Sequence, residues 1–167
     1  MTPAFVPTFT ELKRNRGRAE LWAFGNVFFW DLALLMAVTT GLGILFAPAL
    51  VKVIAYGFGS IAGKWGLTIF MTRVMFPYLF FICLAALLSG ILNSFGRFFV
   101  PASTPILFNL AVIAAVTGWA GSSRTPALVF AVGVVVGGGL QLALQVPFLW
   151  REGMRFTFGI SFRHPVV

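Results

Sequence analysis

The chain has 167 residues, of which 59% are hydrophobic, 16% aromatic and only 10% charged. Soluble domains carry about 25% charged residues, so this chain has too few polar groups to cover a water-facing surface, and lipid is the more economical solvent. A net charge of +8 would suggest nucleic acid in a soluble protein. Here the charges follow a membrane pattern, and no nucleic-acid partner is expected.

In chain order, Pro3 to Leu12 reads as the end of an upstream helix, and Lys13 to Arg18 as a basic loop. The order of this segment, apolar patch first and charges after, is the reverse of a signal peptide. Four uncharged apolar stretches follow: Leu32–Val51, Val74–Gly96, Phe98–Ser123 and Thr125–Trp150, of 20, 23, 26 and 26 residues. About 18 to 20 residues cross a hydrocarbon core as helix, and helices satisfy their own backbone in lipid. The alternation a β-barrel needs is absent. Four transmembrane helices are therefore expected, near residues 20–53, 65–95, 104–121 and 125–150, in an all-α membrane protein.

The first helix carries Trp22 and Trp30 as interface anchors. The stretch "AYGFGSIAGKWG", Ala55 to Gly66, reads as a glycine-rich connection. It is no phosphate-binding loop: Phe58 stands where the first glycine belongs, and Trp65 stands where Ser or Thr must follow Gly63-Lys64. The second helix has Pro77 in its outer third. Pro77 removes the backbone bond to the carbonyl of Arg73 and can kink the helix.

"ILNSFGRFFVPASTPILFN", Ile91 to Asn109, is expected to be a rigid turn between antiparallel helices. Gly96 offers a left-handed C-cap. Ser103 or Thr104 can cap the third helix, with Pro101 stiffening the linker and Pro105 at the first helical position. Pro126 can open the fourth helix, with Pro147 near its end and Gly153 just past it.

Charge sets the expected orientation. Lys13, Arg14, Arg16, Arg18, Arg97, Arg151, Arg155 and Arg163 fall on one side, against Lys52, Lys64 and Arg124 on the other. Basic loops stay in the cytoplasm, so both termini are expected there. Three parts follow: residues 1–18 as helix end and basic loop, 19–150 as the four-helix bundle, and 151–167 as an interfacial tail.

Several polar residues sit within this apolar background. Asp31 is the one acid in the apolar regions. It reads either as an interfacial acid beside Trp30 or as a functional intramembrane charge. Arg73 either snorkels to headgroups or faces a polar cavity. Asn93 and Asn109 flank the inner turn, and Gln141 and Gln145 share one face of helix four. Gly133 and Gly137 form a GxxxG, whose default role is close helix packing, with the amides bonding across helices. The alternative for the amides is to line a substrate path. The single cysteine, Cys83, excludes an intrachain disulfide. The one histidine, His164, and the loop acids Glu11, Glu20 and Glu152 leave no constellation for metal or triad chemistry, so neither an enzyme nor a cofactor is expected.

Three stretches carry a family resemblance: "AFVPTFTEL", "MTRVMFPYLFFICLAALLSGILNSFGRFFVPASTPILFN" and "VGGGLQLALQVPFL". Together they resemble the MurJ/MviN family, the bacterial lipid II flippases. The resemblance implies two lobes of helices around a central cavity, fourteen helices in all, in the bacterial inner membrane. This chain would supply the end of the second helix and helices three to six of the first lobe, the other helices being missing partners. The implied cargo is the undecaprenyl-linked peptidoglycan precursor, moved by alternating access, with membrane lipids as further partners. The family's cavity arginines lie mostly outside the matching stretches, and none is carried over. Arg73 falls where the family has a basic residue before FPY. The competing readings are a small-molecule or drug antiporter of related fold, with Asp31 as its ion site, and a non-transporting membrane scaffold.

Overall fold

A computed structural model describes residues 18–57, 63–121, 123 and 125–156. The expected upstream helix end, most of the basic loop and most of the tail after Trp150 lie outside the described residues. Among the described residues six α-helices build the fold and no strand occurs. They are α1 (Arg18–Leu45), α2 (Ala47–Ile54), α3 (Lys64–Met75), α4 (Pro77–Ser94), α5 (Phe99–Ala115) and α6 (Pro126–Glu152). A π-helical turn, Val116–Ala120, extends α5. In membrane terms these make four spans: Glu20–Leu45, Lys64–Ser94, Phe99–Ala120 and Pro126–Glu152, each long and apolar enough to cross a bilayer.

The expected first helix, 20–53, is broken at Phe46, before Ala47-Pro48, and the second span is interrupted at Phe76, before Pro77, the position where a kink is expected. Pro48 has no N–H for the Ile44 carbonyl, and Pro77 has none for the Arg73 carbonyl, so the i→i−4 ladder is cut at both places.

The turn between the second and third spans is much shorter than expected. Phe98 is the N-cap and α5 starts at Phe99, five residues earlier than the expected start at 104. Pro101 is tolerated because it lies in the first turn, where N–H groups have no helical acceptor anyway. Pro105 lies inside the helix, not at its first position. Ser103 and Thr104 do not cap: the Ser103 hydroxyl donates to the carbonyls of Phe99 and Val100, both at 2.9 Å. Thr104 Oγ1 donates to the Pro101 carbonyl at 2.8 Å, the carbonyl that Pro105 leaves without an N–H. The polar residues thus mend the helix around its prolines, and the chain reverses over Gly96 to Phe98.

Gly96 takes φ +76°, as its C-cap position requires. Gly96 N donates to the Asn93 carbonyl and Arg97 N to the Leu92 carbonyl. Gly153, at φ +101°, ends α6 in the same way, with Gly153 N donating to Trp150 and Met154 N to Leu149.

Helix α6 is the spine of the bundle, in contact with α3, α4 and α5. It runs antiparallel to α5: Gly133 faces Ala115 and Gly137 faces Phe108. It runs parallel to α4: Gly138 faces Tyr78 and Phe81, and Gln145 reaches Ala85 and Ser89. Helix α1 packs on α4 through one continuous core of Leu21, Trp22, Phe29 and Ala33 against Leu84, Leu88, Ile91 and Leu92, closed by Leu149 and Met154. The core therefore gathers at the end that carries the Gly96 turn and the Gly153 cap, called here the turn end. The opposite end, with α2, α3 and the π-turn, is the loop end.

Candidate functional site

The polar residues singled out from the sequence fall into distinct environments. Gln145 is fully buried and its amide is satisfied inside the bundle. Its Oε1 accepts from Ser89 Oγ at 2.9 Å, and its Nε2 donates to the carbonyls of Ala85 and Gln141, both at 3.1 Å. One turn earlier Gln141 is also buried, but its Oε1 has no hydrogen-bond partner. This is a buried acceptor with unused capacity.

Gly133 and Gly137 lie where the helices come closest. A Cβ on Gly133 would stand 2.9 Å from Ala115 Cβ, and one on Gly137 2.8 Å from Phe108 Cδ2. Gly138 is equally tight, with Tyr78 Cδ2 at 2.8 Å. By contrast Gly139 has nothing within 4 Å. The glycines at 133, 137 and 138 let α6 seat against two helices at once.

Asp31 lies on α1 between the core residues Phe29 and Ala33. At about 100° per residue its Cα lies on the opposite side of the helix from them, the side of Leu34, Leu35 and Val38, which are exposed. Its Oδ1 is buried and has no hydrogen-bond partner. Arg73 is exposed at the loop end, and its Nε donates to the Ile44 carbonyl at 3.1 Å. That is the carbonyl Pro48 leaves open, so the Arg73 side chain supplies the donor that the first span lacks. Asn93 and Asn109 are both exposed, the first at the turn end and the second partway along α5. Apart from Gln141 and Gln145, none of these residues is joined to another by a side-chain hydrogen bond.

Three features were missed in the sequence. Asn26 is buried, and its Nδ2 donates to the Arg155 carbonyl at 2.5 Å, tying the exit of α6 to α1. Its Oδ1 is left without a partner. The available signal was spacing: Asn26 lies one turn from Trp22 and one from Trp30, and Trp22 packs in the core against Phe95 rather than standing as an interface anchor. Ser89 is the second, the partner of Gln145. The third is the pair of Arg97 Nε and Glu152 Oε1 at 2.7 Å, which links the turn after α4 to the end of α6 across 55 residues. Sequence separation hid it.

Comparison with known proteins settles the family. The model of the family described as "Lipid II flippase MurJ" matches residues 1–167. The chain belongs to the MurJ lipid II flippase family. A lipid II flippase MurJ of Burkholderia cenocepacia is 38% identical over 172 residues, covering 98% of this chain and 33% of the relative. A probable lipid II flippase MurJ of Treponema pallidum is 34% identical over 160 residues, covering 92% of this chain and 29% of the relative. One of Rhizobium tropici is 37% identical over 145 residues, covering 84% and 27%. The chain thus spans about a third of the length of these MurJ relatives. It is a multi-pass membrane protein of a transporter family rather than of an enzyme family, and its four spans match the membrane setting in which such a flippase works.

Proposed function

We propose that this chain forms part of the first lobe of a lipid II flippase, in which two lobes of a fourteen-helix fold surround a central cavity and alternate its access between the two membrane faces. The observation that carries this reading is the family match over residues 1–167, together with four membrane-length helices. The physical task fits. A lipid-linked pyrophosphate flipped unaided would drag charge and sugars through hydrocarbon, at high cost. A polar, cationic cavity lowers that cost while the prenyl tail stays in lipid. Alternating access needs two bodies rocking about one site, and four spans form about half of one lobe. The missing helices of the full-length architecture are therefore obligatory partners.

Within this reading both termini are cytoplasmic, residues 1–18 lead from an upstream helix, 19–150 form the bundle and 151–167 lie at the interface. We assign packing roles to Gly133, Gly137 and Gln145. Path-facing roles fall to residues with unused polar capacity or exposure: Asp31, Gln141, Asn93 and Asn109. Arg73 carries a cation near the cavity mouth, and Pro77 sets the bend beside it.

Two experiments test the proposal. In cells depleted of their own flippase, residues 1–167 alone should fail to restore growth, and a version extended to the complete family architecture should restore it. Rescue by the short form at equal membrane levels would overturn the half-lobe reading. For orientation, cysteines at Ser60 and Ser122 should react with an impermeant reagent in intact cells, and cysteines at Asn15 and Gly159 should not. The opposite pattern would invert the topology.

Asp31 supports a second reading, an antiporter-like ion site, because its buried Oδ1 has no partner. In the complete protein Asp31→Asn should then abolish the dependence of transport on an ion gradient. Unchanged coupling leaves Asp31 a structural residue.

A further inference from the structure

The two interrupted spans break side by side. Phe76, the break residue of the second span, lays its ring against Gly43 of the first, where a Cβ would overlap it. Three residues before Phe76, Arg73 reaches the Ile44 carbonyl through Nε at 3.1 Å. Ile44 would ordinarily be bonded by the N–H of residue 48, which is proline. The carbonyl of Arg73 would ordinarily be bonded by residue 77, also proline. One residue therefore stands at both cuts, its own carbonyl released by Pro77 and its side chain serving the carbonyl released by Pro48.

The helices on the loop-end side of the two cuts, α2 and α3, are held differently from α1 and α4 on the turn-end side. α4 has a buried row running from Leu84 to Leu92, whereas α3 has no buried residue. In α2 only Ala47 and Val51 are buried, and Val53 and Ile54 are more than 80% exposed. α2 and α3 touch each other, and α3 also lies along α6. Segments with few buried contacts open at lower free energy than the core they join, and sharp helix bends concentrate at prolines.

We propose that the two proline breaks are one hinge, that α2 and α3 swing about it as a single body over the turn-end core, and that Arg73 is its pin. Packing of Phe76 into the space over Gly43 sets the pivot. The Arg73–Ile44 bond keeps the two breaks at the same height, so neither span can bend without the other. The motion can be read without any transport assay, so failure of this proposal and failure of the flippase reading are separable.

The test uses the full chain in lipid nanodiscs. In a Cys83→Ser background, spin labels replace Val53 on α2, Phe70 on α3 and Val136 on α6, all exposed positions. The Val53–Phe70 distance distribution should be narrow, and each of these two to Val136 should be at least about twice as broad, reflecting microsecond-to-millisecond hinge motion. Equal widths for all three pairs would overturn the single-body hinge. The pin is tested by a double-mutant cycle. Arg73→Met should speed amide exchange across Phe46 to Ile54 by about tenfold, the equivalent of one charge-assisted hydrogen bond. Pro48→Ala returns an N–H to position 48, so in that background removal of Arg73 should change exchange less than about twofold. An equal effect of Arg73→Met in both backgrounds would show that Arg73 does not serve the Ile44 carbonyl. If Arg73→Met alone fails to fold, folding of the double variant supports the pin, and failure of both overturns it.

Discussion

The turn end and the loop end both lie at the ends of membrane-length apolar helices, yet they are held together by different means. At the turn end, Leu88, Ile91, Leu92 and Leu149 are fully buried. Trp22 stacks on Phe95 with centroids 5.2 Å apart and planes 14° apart, and Phe29 meets Phe156 edge-on at 5.1 Å. Two glycine caps, the Asn26–Arg155 bond and the Arg97–Glu152 pair close the same region. At the loop end Leu45, Phe46, Val53 and Trp119 are exposed, and contact is carried by small residues along α5 and α6 and by Arg73. In water such exposure would be costly. In lipid it is nearly neutral, because lipid tails are as apolar as the side chains themselves. The lesson is that hydrophobicity suits both ends to the bilayer, while close packing and local hydrogen bonds decide which end is tightly joined.

The largest expected effect tests that contrast directly. Leu88→Ala at the turn end should cost about 2–5 kcal/mol, as for other fully buried leucines, whereas Leu42→Ala, half exposed on α1, should change stability by less than about 0.5 kcal/mol. Thermal or denaturant unfolding in detergent measures both. Equal losses would mean that the loop end is as tightly packed as the turn end.

A smaller effect is expected in the helix seam. Gly137→Leu should cost about 1–3 kcal/mol by overpacking against Phe108. Two residues on, Gly139→Leu should be harmless, since nothing stands within 4 Å of its Cβ position. Matching melting curves for the two variants would place both glycines against lipid.

The smallest effect sharpens the role of polar groups. Gln145→Leu keeps most of the volume and removes the bonds to Ser89, Ala85 and Gln141. A loss of about 0.5–2 kcal/mol is expected, the range of hydrogen bonds between membrane helices. The parallel change Gln141→Leu removes an acceptor with no partner, so it should be neutral or stabilising. If Gln141→Leu is the more damaging of the two, Gln141 has a partner in the complete protein.

Much of this architecture was legible in the sequence alone. Uncharged runs of 20 residues and more dictated four spans, because backbone groups in lipid must bond within their own helix. Gly96 and Gly153 marked helix ends for an equally local reason, the left-handed conformation that a C-cap demands. The motifs around FPY and the paired prolines carried the family. What the tertiary structure decided was the fate of each proline and each amide. A proline's position shows which carbonyl it strands, but whether the helix continues, as at Pro105, or breaks, as at Pro48 and Pro77, depends on its surroundings. Thr104, from the same turn, repairs the first case. At Pro48 the helix breaks, and the freed Ile44 carbonyl is met by Arg73, 29 residues away in the chain. Gln141 and Gln145 look alike in sequence, four apart on one face, yet only Gln145 finds Ser89 opposite it. Such pairings are set by the register of one helix against another, which arises from packing at Gly133, Gly137 and Gly138 and has no local signature in the chain.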